Sequence, residues 1–379
     1  MPRFRFASLG LILALAPLAP AVAQLSLPPD GGNQHSVVSQ GIGLVTVTVD
    51  YNSPDVHAPD GTDRRGKIWG ELVPWGMANL GFGTCGDQCP WRGGANQNTV
   101  FTTTHDVTIQ GQPLKAGSYG LHFLPAQDEW TVIFSNDSTS WGSYTYDVKE
   151  DALRVAAKPE KSEYHEWLTY EFTDRQADRA TLALKWEELA LPIQIAVPNS
   201  KELYLAAIRR DLRNFTGFDA DNWRAAADYA LANKLAPAEA LLWAQRSIDF
   251  PGIGRENFRN LMTLSQAQAA NGLATEAEAS RARALAHPTA GPFDLHAAGR
   301  QLVTEKKPQE ALKIFQLNAK RHPNQWPVEF GLARGYSAVG NYKEALKHAR
   351  IAVTQAPDPG NKAATERAVK TLEEGKDIN

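Results

Sequence analysis

The sequence predicts two parts of different fold class, an antiparallel β-sandwich or barrel-like domain followed by an α-helical repeat domain. Short runs with a two-residue alternation of apolar and polar side chains fill the first half of the 379-residue chain. After Pro198 the apolar residues recur at three- and four-residue steps, and a 34-residue repeat appears near the end. A chain of this length suits two domains.

Composition supports a folded protein and shows that the two halves differ. The chain is 43% hydrophobic and 21% charged, with a formal net charge of −3. Residues 24–199 carry a net charge of −10, whereas residues 200–379 carry +5. No global basic field exists, so we expect no nucleic-acid partner.

The first residues have the pattern of an export signal. Arg3 and Arg5 precede an apolar stretch over residues 9–18, and a small-residue site follows that predicts cleavage between Ala23 and Gln24. The stretch is too short to span a bilayer, although an uncleaved anchor is the alternative. We expect a signal peptide over 1–23, no membrane span in the mature chain, and a periplasmic or extracellular location.

The β region begins after a lead-in rich in Pro, Gly and Ser. We expect residues 24–37 to be flexible and residues 38–198 to form the β domain. Its clearest strand places Val45, Val47, Val49 and Tyr51 on one face. Further strands are predicted at Thr99–Thr104, Val107–Ile109, Tyr119–Leu124, Trp130–Ser135, Leu153–Ala157, Leu168–Phe172, Leu182–Trp186 and Ile193–Val197.

The helical region begins with a connecting helix, predicted over residues 199–217. Asn199 and Glu202 have the spacing of a reciprocal helix cap. The apolar stripe that follows consists of Leu205, Ile208, Leu212 and Phe215.

Residues 218–379 repeat themselves. Glu310-Ala311-Leu312-Lys313 recurs as Glu344-Ala345-Leu346-Lys347, and Pro323 recurs as Pro357. Two weaker units, marked by Ala240 and Ala277, precede them. The pattern resembles the tetratricopeptide repeat, in which stacked helix pairs bind a protein or peptide partner. An ordinary helical bundle with coincidental spacing is the alternative.

The sequence has two cysteines, Cys85 and Cys89. In an oxidising compartment such a pair forms a disulfide, which here would shape a short loop. A redox pair has two intervening residues rather than three, and no second pair is present to complete a zinc site.

Several ordered blocks of the first half resemble one known family. The blocks are Val47–Pro54, Lys67–Pro74, Trp91–Asn96, Leu114–His122, Glu129–Phe134 and Trp141–Tyr144. Together they resemble the bacterial family known as domain of unknown function 2911, over roughly residues 38–197. The resemblance implies an exported β domain of no established activity. Residues 77–90, which hold both cysteines, are an insertion relative to the family pattern.

The densest polar cluster of the β region lies near Trp91, Arg92 and Asn96, with two glycines between them. Arginine offers five donors to a carboxylate or phosphate, and an indole offers a stacking surface. This predicts an anion or carbohydrate pocket with Trp69 and His122 as further walls. The alternative is structural, with Arg92 holding loop carbonyls and His122 satisfied by hydrogen bonds.

Two function classes remain open. The first is a binding protein, whose repeats hold a protein or peptide and whose β domain binds a small ligand. The second is an extracytoplasmic hydrolase that works at the Trp91–Asn98 loop. The sequence shows no metal-site motif, nucleophile elbow or phosphate loop, so we expect no cofactor and no metal, and the binding class is favoured.

Overall fold

The computed structural model of the chain describes residues 32–379. The predicted signal peptide, its cleavage site at Ala23 and Gln24, and most of the predicted lead-in lie outside the described residues. The chain divides after Pro198 into two compact units, called here the β unit and the helical unit. No helix among the described residues has the length and apolar character that a membrane crossing needs.

The β unit contains two antiparallel sheets. One sheet has the strand order β1-β2-β3-β6-β7-β8, and the other has the order β5-β4-β10-β9. The strands are β1 Gln34–Ile42, β2 Val45–Ser53, β3 Thr99–Thr103, β4 Val107–Ile109, β5 Gln112–Leu114, β6 Gly117–Leu124, β7 Trp130–Ser135, β8 Asp151–Ala157, β9 Glu160–Thr173 and β10 Arg179–Ala196.

The core of the β unit lies between the two sheets. Val45, Val47 and Val49 of β2 are fully buried, as their alternation predicts. The ring of Tyr51 on β2 meets Tyr170 on β9, with 4.8 Å between the ring centroids. Since these two strands belong to different sheets, the sheets face each other as a sandwich.

Strand β1 differs from the sequence prediction, because it begins at Gln34, inside the stretch predicted to be flexible. It pairs with β2 from Gln34 opposite Ser53 to Ile42 opposite Val45. As an edge strand it keeps mostly exposed side chains, so backbone pairing holds it without a strong apolar pattern.

Strand β10 replaces two predicted strands. The pairing register with β9 shifts on both sides of Glu187, which has a φ of 55°. Such a bulge lets the strand continue past a polar stretch. Pro192 falls between the segments of β10 that pair with β9 and with β4, where no ladder hydrogen bond needs its missing N–H.

The helical unit contains ten helices within the described residues. They are α1 Ser200–Asp211, α2 Ala220–Ala232, α3 Pro237–Asp249, α4 Phe258–Ala270, α5 Ala274–Ala286, α6 Pro292–Thr304, α7 Pro308–Arg321, α8 Trp326–Ala338, α9 Tyr342–Gln355 and α10 Pro359–Glu373. Helices α2 to α9 form four consecutive contacting pairs, and the first helices of neighbouring pairs contact each other for α2 with α4 and for α6 with α8.

Small residues at equivalent places explain how the pairs pack. Ala240, Ala277, Ala311 and Ala345 all lie near the start of the second helix of a pair, and all are buried. A Cβ at Gly299 would stand 2.4 Å from the ring of Phe315, so only glycine fits there. The resemblance to tetratricopeptide repeats is therefore confirmed in the structure of this chain.

The connecting helix is shorter than predicted. Helix α1 ends at Asp211 and a 3-10 turn follows at Phe215–Phe218. Because the helix ends early, Phe215 leaves the predicted apolar stripe and is 87% exposed. The side chain of Asn199 makes no capping hydrogen bond, so the predicted reciprocal cap is wrong.

Candidate functional site

The polar loop over residues 91–98 is fixed at both ends by strands. The Trp91 N–H donates to the Phe123 carbonyl at 2.9 Å, and the Phe123 N–H donates back at 2.8 Å. Strand β3 begins directly after the loop, at Thr99. In between, the Tyr170 hydroxyl donates to the Gly93 carbonyl at 2.8 Å. The sandwich core therefore positions the loop.

Four tryptophans meet beneath this loop. The ring of Trp69 lies 5.7 Å from Trp91, 5.1 Å from Trp130 and 5.8 Å from Trp186, each in an edge-on arrangement. Trp91 and Trp186 are nearly parallel, with an angle of 14° between their planes. Edge-on and offset contacts are the favoured geometries of aromatic rings. Trp69 thus supports Trp91 from within the cluster.

Arg92 is bound to the protein on two sides. Its Nη1 donates to the Asn96 carbonyl at 2.6 Å, and its Cζ lies 4.8 Å from the centre of the Tyr144 ring. A Cβ at Gly142, whose φ is 66°, would stand 2.2 Å from that Cζ. The guanidinium therefore crosses directly over Gly142, and its hydrogen bond closes the loop as the structural interpretation expects.

Asn96 shapes the turn of the loop. Its φ of 57° lies in the left-handed region, which asparagine tolerates better than most residues. Its Oδ1 accepts a hydrogen bond from the Nδ2 of Asn33 at 3.1 Å. The next side chain, Gln97, accepts from Asn52 Nδ2 at 2.9 Å. The side-chain amides of the loop thus bond to Asn33, which precedes β1, and to Asn52 of β2.

A pocket of about 370 Å³ opens beside the loop. Trp91, Arg92 and Asn96 all line it, so three of the five predicted ligand-binding residues share one cavity. Trp69 and His122 are not among its lining residues. The other lining residues are Asn33, Pro54, Arg64, Leu72, Val73, Pro74, Gly76, Ala78, Leu80, Cys89, Pro90, Gly94, Ala95 and Trp186.

The charged side chains that line this pocket are all positive. Arg64 and Arg92 contribute two guanidinium groups, and no carboxylate is among the lining residues that the structure describes. Asp55 lies outside the lining, 3.9 Å from Arg64. A cavity with apolar walls and two cations is suited to an anion that carries an apolar group.

His122 is a buried, neutral group behind the loop. It is 2% exposed, and its Nδ1 shares a hydrogen bond of 3.1 Å with the Ser143 hydroxyl. Burial lowers the pKa of His122 from 6.5 to about 4, with a further lowering by Arg92, while Asp137 opposes the shift. The imidazole is thus uncharged near neutral pH and lies against Tyr146 rather than in the pocket.

Residues 77–90, predicted to be an insertion relative to the family pattern, form one wall of the pocket. Its members Ala78, Leu80, Cys89 and Pro90 are lining residues. Cys85 and Cys89 form a disulfide, with 5.2 Å between their Cα atoms. Because the crosslink includes a wall residue, it restrains the shape of the pocket. No group of three His, Cys, Asp or Glu side chains within residues 32–379 is arranged to hold a metal ion.

The helical unit has its own candidate surface on α6 and α8. We call it the arginine face, formed by His296, Arg300, Phe330 and Arg334. The imidazole of His296 stacks on Phe330 at 21°, and the Arg334 Cζ lies 4.7 Å from the centre of the same ring. Arg300 and Arg334 stand 34 residues apart, so they occupy the same position in consecutive repeats.

The two arginines are close enough to repel each other. Burial and the charge of Arg300 lower the pKa of Arg334, while the charge of Asp377 opposes the shift. Burial, followed by Arg334 and Arg300, lowers the pKa of His296 to about 4, although its hydrogen bond to the Pro327 carbonyl opposes this. Among the described residues neither arginine has an ion-pair partner within 4 Å, and the Nε of Arg334 is buried without a hydrogen bond.

A short acidic segment of the chain lies against this face. We call Asp377–Asn379 the tail segment. The Ser337 hydroxyl donates to Asp377 Oδ1 at 2.6 Å, and the N–H of Ile378 donates to Ser337 Oγ at 3.1 Å. Arg334 Nη1 donates to the Ile378 carbonyl at 3.4 Å. Side chains of α8 thus hold the tail segment through its Asp377 carboxylate and through its backbone groups.

Comparison with known proteins identifies the β unit. Residues 33–195 match the family model described as a protein of unknown function, DUF2911. The β unit is a DUF2911 domain. No curated protein sequence matches the chain.

Solved structures with limited overall similarity to this chain include those of YrrB and MamA. The crystal structure of YrrB, titled a tetratricopeptide repeat protein with an unusual peptide-binding site, has 18% identity and a TM-score of 0.30, and the match covers 45% of this chain and 84% of that one. A structure of MamA from AMB-1 has 18% identity and a TM-score of 0.29, covering 46% and 82% of the two chains.

Sequence reasoning missed part of the pocket in the DUF2911 domain. Arg64 and Trp186 line it from distant parts of the chain, and no local pattern connects them with Trp91. The pairing of β9 with β10 places Trp186 inside the sandwich. On the helical unit, Arg300 and Arg334 were accessible to prediction, because the 34-residue offset relates them.

Proposed function

We propose that the chain is an exported binding protein whose helical unit binds an acidic segment of a protein partner at the arginine face. The observation that carries the proposal is the pair Arg300 and Arg334, which lie on adjacent first helices with no carboxylate of the described residues within 4 Å. Arginine forms charge-assisted hydrogen bonds to carboxylates, and desolvated guanidinium groups gain most from such a partner. The basic start of the sequence and the disulfide support export.

The tail segment supports a peptide as the ligand. It contributes a carboxylate at Asp377 and an apolar side chain at Ile378, which packs against the apolar cluster that includes Phe330. A partner segment with the same alternation of acidic and branched apolar residues would satisfy Arg334 and reach Arg300. The tail segment then competes with the partner for the same groups.

A binding titration tests this proposal. The probe is a fluorescein-labelled peptide, Gly-Glu-Asp-Ile-Asp-Gly-amide, added to the full-length protein at low salt. We expect Arg300→Gln with Arg334→Gln to weaken binding by about tenfold or more, since two charge-assisted contacts are lost. The control is Lys343→Gln with Lys362→Gln, which removes the same charge at exposed sites of α9 and α10.

A variant of the tail segment is expected to change peptide affinity in the opposite direction. Asp377→Asn weakens the hydrogen bond from Ser337 that holds the tail segment beside Arg334, so we expect tighter peptide binding than in the unaltered protein. Equal affinity in the arginine variant and its lysine control would overturn the proposal.

A second function is favoured by the pocket of the DUF2911 domain, which we propose binds a small anion with an apolar group. Arg64, Arg92, Trp91 and Trp186 support it, in a pocket without lining carboxylates. Thermal-shift measurements with a panel of aliphatic and aromatic carboxylates, phosphates and acidic sugars test it in the protein and in Arg64→Ala. Stabilisation that survives in Arg64→Ala would contradict it. We do not propose the hydrolase alternative, because His122 and Ser143 are buried and no observation favours catalysis there.

A further inference from the structure

A cavity of the helical unit lies near its first helix pair, apart from the arginine face. Its volume is about 540 Å³. We call it the aromatic pocket, defined by Phe218, Trp223, Trp243, Arg213 and Arg246, all of which line it.

Aromatic rings form most of the apolar lining. Trp223 on α2 and Trp243 on α3 are buried, whereas Phe218 of the 3-10 turn is 70% exposed. The indole N–H of Trp223 is satisfied, since it donates to the Gly217 carbonyl at 2.8 Å. The indole N–H of Trp243 has no hydrogen-bond partner in the described part of the chain. The pocket thus offers stacking surfaces and one available donor.

The charge of the aromatic pocket is positive. Arg209 is neutralised by Glu239, with two hydrogen bonds of 2.8 and 2.7 Å. Arg213 and Arg246 have no carboxylate partner within residues 32–379. The Arg246 Cζ lies 5.0 Å from the ring centre of Trp223 and 5.7 Å from that of Phe250, so both rings hold the guanidinium in place.

Apolar surface continues beyond the cavity. Phe215 is 87% exposed and is not a lining residue, yet its ring centre lies 6.2 Å from that of Phe218. A ligand that covers both rings must extend past the pocket itself. This favours a peptide segment over a compact small molecule.

We infer that the aromatic pocket is a second binding site, which takes an acidic peptide segment with one aromatic side chain. The aromatic side chain stacks between Trp243 and Phe218, and flanking carboxylates pair with Arg213 and Arg246. This chemistry differs from that of the arginine face, where the acidic segment carries branched aliphatic residues. The inference does not depend on the proposed function.

The test uses full-length protein and fluorescence anisotropy of a labelled peptide, Gly-Glu-Asp-Trp-Asp-Glu-Gly-amide. Two comparison peptides replace either the acidic residues with Lys or the Trp with Ser. We expect Arg213→Gln with Arg246→Gln to weaken binding of the first peptide by about tenfold or more. The matched control is Lys234→Gln with Arg259→Gln, which removes equal charge at exposed positions outside the pocket.

Further arms separate this site from the arginine face. Arg300→Gln with Arg334→Gln is expected to leave the part of the affinity that depends on the Trp side chain unchanged. Trp243→Phe keeps a ring but loses the N–H and is expected to weaken binding severalfold, with its melting temperature measured as the control for folding.

Three results would overturn the inference. They are equal binding by the Arg213 and Arg246 variant and its control, equal binding of the peptide with Ser in place of Trp, and an effect confined to the Arg300 and Arg334 variant. Binding of sodium dodecanoate that requires Arg213 and Arg246, without peptide binding, would also overturn it by assigning the site to an anionic amphiphile.

Discussion

Arg92 shows how one residue of the DUF2911 domain serves both structure and ligand chemistry. Its guanidinium closes the loop through the Asn96 carbonyl and also lines the pocket. A charged hydrogen bond and a cation–π contact are lost together when the side chain is removed. Its contribution to folding is therefore measurable without a ligand.

We predict that Arg92→Ala lowers the free energy of unfolding by about 1–3 kcal/mol. Arg64→Ala is the comparison, because Arg64 lines the same pocket without closing the loop, and we expect a smaller loss. Urea unfolding of both variants measures this. Equal stability of Arg92→Ala and the unaltered protein would show that the loop does not depend on this contact.

The buried histidines predict sensitivity to acid. The pKa values of His122 and His296 are lowered to about 4, below the ordinary value of 6.5. The unfolded chain therefore takes up protons first as pH falls, so stability present above pH 6.5 is lost progressively down to pH 4. For His122 the full effect is about 3 kcal/mol.

Nuclear magnetic resonance of protein with ¹⁵N-labelled histidine checks these values directly. We expect the rings of His122 and His296 to remain neutral at pH 5.5 in the folded protein. Half-protonation of either ring near pH 6.5 would contradict the burial described here.

At this scale the sequence predicted residue types better than residue roles. Trp91, Arg92 and Asn96 share the pocket, because they lie in one loop. Trp69 and His122 were predicted as walls, but they are not among the residues that line the pocket. A linear sequence shows that His122 alternates with Leu121 and Phe123, yet both faces of β6 are buried. Alternation along the sequence therefore could not show whether the His122 side chain is exposed or buried.

The segment over residues 77–90 carries both cysteines. We predict that Cys85 and Cys89 are bonded to each other in the exported protein. Mass measurement after alkylation, with and without prior reduction, checks this. Two alkylated thiols in the unreduced sample would contradict the prediction.

Reduction of this disulfide should affect the pocket more than the fold. The crosslink closes a very short loop, so it removes little entropy from the unfolded chain. We expect a small change in melting temperature and a clear change in ligand affinity at the pocket of the DUF2911 domain. Thermal scans with and without reductant measure the change in melting temperature.

The helix pairs depend on close approach at Gly299. Gly299→Ala is expected to lower the stability of the helical unit by about 1–3 kcal/mol, although alanine favours helices, because the added Cβ overlaps Phe315. In the Gly299→Ala variant, Phe315→Leu should cost less stability than it does in the unaltered protein. Circular dichroism during thermal unfolding of the single and double variants measures this. Additive losses would contradict the overlap.

Elements with a strong apolar period were predicted well, and the others were not. The alternation in β2 and the 34-residue repeat both reflect burial in the structure. Strand β1 lies at an edge and α1 ends at Asp211, where backbone pairing and a turn decide the structure. Two predicted strands form the single strand β10, which continues through the bulge at Glu187, and there too backbone pairing decides the structure.

At the scale of the whole molecule, each unit has its own core. We predict that residues 24–198 and residues 199–379, expressed separately, each unfold cooperatively. The first should give a β-type circular dichroism spectrum and the second a helical one. Failure of both to fold would contradict the division after Pro198.

The central claim is that acidic partner segments bind the arginine face of the helical unit. Amide hydrogen exchange of the full-length protein, with and without the Gly-Glu-Asp-Ile-Asp-Gly-amide peptide at saturation, tests it most directly. We predict slower exchange in α6 and α8 and faster exchange in the displaced tail segment. Slower exchange confined to the DUF2911 domain, or unchanged exchange in α6 and α8 while the peptide is bound, would contradict the claim.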